Sequence, residues 1–235
     1  MLKPILKSNW KRRRALIISP LVEAGILLFN DAIPNFDIIT FSFDNSDLNL
    51  DLINNLEVTK HYKFESEAWG ESFFKLCKLI DPSYEVVMFM NSDLFASISS
   101  INYFFEINDF FELDFSQPSL SVNSYISHDH TKHIPGGGVK QVPFIEIMMP
   151  CLSSLVVNQV NEIGITTISG WGLDCELFPF IENKLNLKPP AVIHDCQVIH
   201  AKPVSSNFIY SDGLNAVQQQ LMIKNLLREL KNKTT

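Results

Sequence analysis

The sequence has 235 residues, of which 46% are hydrophobic and 19% are charged, a composition that suits one large α/β domain with a sizeable core. Its formal net charge of -7 argues against a general nucleic-acid-binding protein, whose affinity would depend on cationic contacts to phosphate. The four cysteines have no C-x-x-C spacing, and the sequence shows neither a membrane-span-length apolar run nor a signal peptide. We therefore expect reduced thiols and a cytoplasmic protein.

Basic residues crowd the N-terminus, in contrast to the acidic remainder. They are Lys3, Lys7, Lys11, Arg12, Arg13 and Arg14. Such a charge block is typical of a solvated leader, and we assign residues 1–14 to one. The alternative is attraction to anionic lipid head groups, which would give a peripheral contact with the cytoplasmic face of the inner membrane.

The next segments predict a β-α-β unit. "ALIISP" (15–20) and "FDIITFSFD" (36–44) have the short apolar runs of buried parallel strands. Between them, "LVEAGILLFNDAI" has helical length and an apolar face.

A helix and a central strand follow. "EAWGESFFKLCKLI" (67–80) has the spacing of an amphipathic helix, and "YEVVMFM" (84–90) is the most hydrophobic run of the chain. In an open α/β sheet the ligand crevice lies beyond the carboxyl ends of the strands, so Asp44 and Asp93 should both face it.

From residue 101 the predicted strands are shorter. They are "DFSQPSLS" (114–121), "FIEIMMPCL" (144–152) and "AVIHDCQVIH" (191–200), and an amphipathic helix occupies 214–235. The segment "ISHDHTKHIPGGGVKQ" (126–141) predicts a mobile polar loop over a substrate. Its histidines lack the spacing and rigidity of a structural zinc site.

Asp93 and His200 are the candidate metal ligands. A carboxylate at a strand end is a hard ligand suited to Mg²⁺ or Mn²⁺, although an Asp there can also simply cap a helix. His200 ends another predicted strand, where it is either a structural residue or able to meet Asp93 across the crevice.

The stretch "SGWGLDCE" (169–176) offers a second candidate group. Its two glycines allow a sharp turn, on which Trp171 could stack against a sugar ring. Asp174 could then deprotonate a hydroxyl group, and Glu176 could orient the same acceptor. The alternative is an ordinary N-terminal helix cap.

In this order, these parts resemble the GT-A glycosyltransferases, and more closely a domain-of-unknown-function family of GT-A-like proteins from plants and bacteria. The matching stretches are "YEVVMFMNSDL" (84–94), "FSQPSLS" (115–121), "FIEIMMPCLS" (144–153), "GWGLDCEL" (170–177) and "VIHDCQVIH" (192–200). The resemblance implies a single GT-A-like (Rossmann-like) α/β domain with a mixed, mostly parallel central sheet flanked by helices. The domain would span 15–213, with a nucleotide-binding half at about 15–100 and an acceptor half at about 101–213.

The resemblance also implies roles for individual residues. Asp93 and His200 would hold a divalent cation, Mn²⁺ or Mg²⁺, and Asp174 would be the base of an inverting displacement. Glu146 and Trp171 would lie beside the acceptor.

The donor side would be formed by three further residues. Asp44 would lie near the nucleoside, with Asn91 and Ser92 also contacting the donor. Asn91 stands where the family usually has an acid, so one negative charge is lost at the cation.

The resulting hypothesis is a metal-dependent glycosyltransferase with a nucleotide-sugar donor and a glycan or lipid-linked glycan acceptor. Its pathway would be the synthesis of a bacterial surface polysaccharide such as lipopolysaccharide O-antigen or capsule. One alternative is a non-catalytic glycan- or nucleotide-binding relic of the fold. Another is a hydrolase or nucleotidyltransferase that uses the same crevice.

Overall fold

The computed structural model describes residues 14–22, 26–43, 56–203 and 207–234. The strands in these ranges are β1 (Ala15–Pro20), β2 (Leu28–Phe29), β3 (Asp37–Ser42), β4 (Lys60–Lys63), β5 (Val86–Phe89), β6 (Leu94–Ser97), β7 (Phe115–Leu120), β8 (Val139–Gln141), β9 (Cys151–Ser153) and β10 (Ala191–His200). The α-helices are α1 (Trp69–Cys77), α2 (Ile98–Phe110), α3 (Ser154–Ile163), α4 (Phe178–Leu185) and α5 (Ala216–Thr234). A 3₁₀ turn spans Asp129–Thr131, and a π-helical turn spans Leu173–Leu177.

The strands form one mixed, mostly parallel sheet in the order β2-β6-β10-β7-β9-β5-β1-β3-β4, with β8 paired to β10. The strands β4, β3, β1 and β5 are all parallel, as expected for a nucleotide-binding half. The short strand β9 runs antiparallel between β5 and β7, and β6 runs antiparallel to β10. This is the mixed sheet that the sequence predicted.

Side chains of the central strands alternate between two apolar layers because successive residues of a strand point to opposite faces. Along β1, Ala15 and Ile17 pack on one side, whereas Leu16 and Ile18 pack on the other. The first layer is covered by α2, and the second by α1, α3, α4 and α5. Both faces of the sheet are therefore shielded by helices, which explains why these strands read as continuous apolar runs.

The helix predicted between β1 and β3 does not form in the part of that segment that the structure describes. Residues 26–33 contain no helix, and Leu28 pairs with Ala96 of β6 in the two-residue strand β2. Leu21, Ile26, Leu27 and Leu28 are buried, as the pattern required, whereas Phe29 and Ile33 are exposed. Tertiary context here overrides a helical pattern.

Two further expectations differ from the structure. Of the strand predicted at 144–152, only Cys151 and Leu152 lie in a strand, β9 (Cys151–Ser153), and 144–150 is irregular. The segment 126–141 was predicted as a mobile loop, but it contains the 3₁₀ turn and β8, which pairs with β10 from Ala191 to Ile193. The glycines between these elements allow the reversal, since Gly136 and Gly138 have positive φ.

Some predictions lie outside the described residues, among them Asp44 and all of the basic leader except Arg14. Arg14 pairs with Asp37 at 3.0 Å and stacks on the ring of Tyr84. Within the described ranges, the helices are all too short or too polar to cross a bilayer.

Candidate active site

Asp93 and His200 meet because of the register of two strands. β10 and β6 are antiparallel, and His200, the last residue of β10, lies opposite Leu94, the first residue of β6. Asp93 immediately precedes that pair, and its carbonyl accepts a hydrogen bond from the N–H of Ala201 at 2.9 Å. His200 Nε2 lies 3.3 Å from Asp93 Oδ2. The structure thus brings the two predicted metal ligands into direct contact.

The orientation of the His200 ring is set by a second contact. Nδ1 lies 2.9 Å from the carbonyl oxygen of Tyr125, which has no proton to give, so Nδ1 carries the hydrogen and donates it. The Nε2 atom therefore faces Asp93 with either a lone pair or a second proton. The hydrogen bond with Asp93 raises the pKa of His200 above its ordinary value, and burial opposes this.

This pair fits a divalent cation. Asp93 Oδ1 is buried without a hydrogen-bond partner among the described residues, which leaves an oxygen lone pair to be satisfied. Two cis ligands about 2.1 Å from an octahedral ion lie about 3 Å apart, close to the Nε2–Oδ2 separation. The described residues supply no cluster of three or more His, Cys, Asp or Glu ligands, so further ligands would have to come from substrate or water.

Asn91 and Ser92 occupy the turn between β5 and β6. The N–H of Asn91 donates to the carbonyl of Met148 at 3.0 Å, and its side-chain Oδ1 accepts from the N–H of Ser92 at 2.7 Å. The amide oxygen that replaces the expected carboxylate is thus held by the adjacent backbone.

The irregular segment 144–150 is held by side chains from two distant elements. Gln117 of β7 accepts from the N–H of Glu146 at 2.5 Å, and the Trp69 indole donates to the carbonyl of Ile147 at 2.8 Å. These bonds satisfy backbone groups that a strand would have paired. They leave the carboxylate of Glu146, a residue that is only 5% exposed, close enough to Asp174 and His200 to feel the charge of each.

The turn that carries Trp171 depends on a close approach of two backbones. A Cβ atom on Gly70, in the first turn of α1, would lie 2.2 Å from the nitrogen of Gly170. Gly170 and Gly172 have φ values of +92° and +89°, a region that side chains disfavour. The partly exposed Trp171 is therefore presented by a turn that only glycines can build.

Asp174 is the second residue of the π-helical turn that follows. Burial raises the pKa of its carboxyl group, whereas the N–H of Cys175, which donates to Oδ1 at 2.8 Å, lowers it. Glu146 also has a pKa raised by burial, and the charge of Asp174 raises it further. Two acids with perturbed pKa values in one crevice are typical of a catalytic site.

Helix α5 supports this turn through Gln219, which the sequence analysis did not single out. Its fully buried Oε1 accepts from the Thr167 hydroxyl at 2.5 Å and from the N–H of Ser169 at 2.9 Å. Its Nε2 donates to Asp212 at 2.7 Å. The sequence could have indicated this role, because Gln219 lies on the apolar face of an amphipathic helix and a buried amide needs hydrogen-bond partners.

Glu176 points elsewhere. Its carboxylate lies 3.2 Å from the Lys224 ammonium of α5, and it lines a cavity of about 890 Å³ between α4 and α5. That cavity includes neither Asp93, His200 nor Asp174 in its lining. The structure thus separates Glu176 from the other predicted site residues.

His128 is a further residue at the crevice. Its ring lies 4.9 Å from that of Phe144 in an edge-to-face contact and stacks on His130. Its charge would lower the pKa of both Glu146 and Asp174, which places it near both carboxyl groups. The segment 126–141 thus contributes a histidine whose charge acts on Glu146 and Asp174, and it does so from a folded turn.

No family model matches the sequence, and no curated protein matches it. Among solved structures, Staphylococcus aureus TarS 1–349 in complex with UDP-GlcNAc matches with a TM-score of 0.58 at 12% identity, over 91% of this chain and 65% of that one. The same protein in complex with UDP matches with a TM-score of 0.55 at 14% identity, over 91% and 64%.

A longer S. aureus TarS structure matches with a TM-score of 0.53 at 14% identity, over 82% of this chain and 37% of that one. The chain therefore spans just under two thirds of the TarS 1–349 chains. At this identity the likeness concerns the fold alone. It shows that the chain has a GT-A-like α/β fold.

Proposed function

We propose that this protein is a glycosyltransferase that transfers a sugar from a nucleotide-sugar donor to a hydroxyl group of a glycan acceptor. The observation that carries the proposal is the Asp93–His200 pair, with the unpartnered Oδ1 of Asp93, at the carboxyl ends of the strands in a GT-A-like fold. Ligands of open α/β sheets bind at this edge. The bound UDP-GlcNAc and UDP of the S. aureus TarS structures support a uridine nucleotide as the first donor to test.

Asp93 and His200 would hold a divalent cation, Mn²⁺ or Mg²⁺. Such an ion supplies charge neutralisation for the departing diphosphate. The side chains of Asn91 and Ser92 and, outside the described residues, Asp44 would contact the donor. This assigns residues 15–100 to the donor and 101–213 to the acceptor.

Asp174 is the proposed base. Its carboxylate would take the proton of the acceptor hydroxyl as that oxygen forms a bond to the anomeric carbon. The bond from the anomeric carbon to the phosphate oxygen breaks, and its electron pair leaves with the nucleotide. Attack on the face opposite the leaving group inverts the configuration. A pKa raised by burial makes Asp174 a stronger base than an exposed aspartate.

Trp171, on the glycine-built turn, would stack on the acceptor, and Glu146 would lie beside it. Glu176 would have to leave Lys224 to reach the same acceptor. The pathway we propose is the synthesis of a bacterial surface polysaccharide at the cytoplasmic face of the inner membrane, with a lipid-linked glycan among the candidate acceptors.

The test is a thermal-shift screen against UDP, GDP, CMP and dTDP and their common sugars, each with and without Mn²⁺. A ligand at 100 times its Kd stabilises the native state by about 2.7 kcal/mol. For a chain of this size that raises Tm by roughly 5–10 °C. We expect one nucleotide to act only with metal, and Asp93→Ala to abolish the shift.

The matched control is Asp195→Ala, which removes an exposed carboxylate of β10 and should keep the shift. If no nucleotide stabilises the protein in any condition, the donor site is wrong. Nucleotide binding without sugar transfer would favour a non-catalytic binding module, and donor consumption without an acceptor would favour a hydrolase.

A further inference from the structure

The hydroxyl group of Thr131 lies between two oxygen atoms that both normally accept hydrogen bonds. Thr131 Oγ1 is 2.8 Å from the carbonyl oxygen of His128 and 2.7 Å from Oε1 of Glu146. Both separations are typical of O–H···O hydrogen bonds, so each requires a proton between its two atoms. The hydroxyl has one proton, and a backbone carbonyl has none. If both contacts are hydrogen bonds, the second proton belongs to Glu146.

The alternative arrangement leaves two oxygen atoms in contact without a proton. If Thr131 donates to an ionised Glu146, its oxygen faces the lone pairs of the His128 carbonyl at 2.8 Å. A hydroxyl in a helical turn commonly donates to the carbonyl three residues earlier, and Thr131 stands in this relation to His128 in the 3₁₀ turn. Donation to the His128 carbonyl is thus the favoured use of the Thr131 proton.

The surroundings of Glu146 agree with a neutral carboxyl group. Burial raises its pKa and so does the charge of Asp174, whereas a hydrogen bond donated by Thr131 and the charges of His128 and His200 act in the opposite direction; the net direction is upward. Its backbone N–H donates to Gln117, which holds the residue against the crevice.

We propose that Glu146 is a neutral carboxylic acid in the resting, metal-free protein, where it donates a hydrogen bond to Thr131 and acts as a positioning residue for Asp174. A second negative charge beside Asp174 would oppose its ionisation. When Glu146 is neutral, Asp174 is the ionised carboxyl group of this pair. Asp174 is then available as the base. The positioning role depends on the proposed transferase function, but the protonation state does not.

Replacement of Thr131 by valine gives opposite results for the two arrangements. If Thr131 accepts from the neutral acid, Thr131→Val removes a partner of the neutral form, and the pKa of Glu146 falls by about one pH unit. If Thr131 donates to the carboxylate, the same change raises the pKa of Glu146. Thr131→Ser retains the hydroxyl group and is the matched control, for which we expect the wild-type value.

The measurement is the carbonyl stretch of the protonated carboxyl group in infrared spectra of metal-free protein titrated with acid and base. The band is assigned by its loss in Glu146→Gln. We expect it in wild-type protein at pH 7, and its absence there would overturn the proposal even if Thr131→Val did not fold. A rise of the Glu146 pKa in Thr131→Val would overturn it too.

The positioning role has a separate readout. In Thr131→Val, Glu146 ionises at lower pH, so its charge raises the pKa of Asp174 and moves the acid limb of the kcat profile to higher pH. An acid limb that coincides with that of Thr131→Ser would overturn the positioning role. If no transfer is found at all, the proposed function fails, while the infrared experiment still decides the protonation of Glu146.

Discussion

Replacement of Gly70 by alanine should destabilise the protein, although alanine is the better helix former. Gly70 lies in the first turn of α1, where Gly→Ala in a free helix would gain about 1 kcal/mol. Here the new Cβ would lie 2.2 Å from the nitrogen of Gly170 and 2.6 Å from the carbonyl oxygen of Thr167. These are backbone atoms that cannot rotate away, and overpacking of this kind costs about 3 kcal/mol. We expect a net loss of about 2 kcal/mol.

The assay is urea or thermal unfolding, in which this loss lowers Tm by roughly 4–8 °C. Sugar transfer should fall further than stability, because the displaced turn carries Trp171 and leads to Asp174, and small misplacements of a reacting group are costly. Gly138→Ala is the control. It strains a positive φ but has no atom within 4 Å of the new Cβ, so it should leave transfer intact. A Gly70→Ala protein as stable as wild type would refute the close packing of the two glycines.

Three further outcomes are expected. Asp174→Asn should abolish transfer yet stabilise the fold. The pKa of Asp174 is higher in the folded state than in the unfolded state, so the folded state holds the proton to higher pH. The stability of the wild-type protein therefore falls as pH rises from the unfolded pKa of about 3.9 through the higher folded pKa. The variant escapes this loss, and equal stabilities at pH 8 in urea titrations would contradict the assignment. Gln219→Ala should lower the free energy of unfolding by at least about 2 kcal/mol in the same titrations, because it leaves the Thr167 hydroxyl and the Ser169 N–H without their acceptor. An unchanged urea midpoint would contradict the role of Gln219 in supporting the turn. Cys175 should react slowly with a disulfide reagent at pH 8, since burial and the neighbouring Asp174 raise its pKa to about 12; rapid labelling of the native protein would show otherwise.

The central strands and the ends of two of them were predictable because strand signals are local. Apolar residues and turn boundaries predict strands at "ALIISP" and "AVIHDCQVIH", and both strands are confirmed. The carboxyl-end rule then pointed to Asp93, which lies beside His200. Chemistry at strand ends can thus be inferred when the strands themselves are evident.

The conformation of residues 144–150 was less predictable because its backbone hydrogen-bond partners are far away in the sequence. The segment has a strand-like composition, but its hydrogen bonds come from the side chains of Gln117 and Trp69 and from the backbone N–H of Asn91. No local pattern records such contacts. The contact between Thr131 and Glu146 was likewise not predictable from the sequence, since only the folded turn brings their side chains together.

The pairing of β10 with β6 also has a consequence for biosynthesis. Asp93 is translated long before His200, and the two meet only after the last strand has been made and has docked in register. Contacts between such distant parts of a chain form slowly compared with local ones. A ribosome-bound chain that has not yet exposed residue 200 can fold its parallel strands but cannot assemble this pair. Any activity that depends on this pair would therefore be absent until β10 has been synthesised and has docked beside β6.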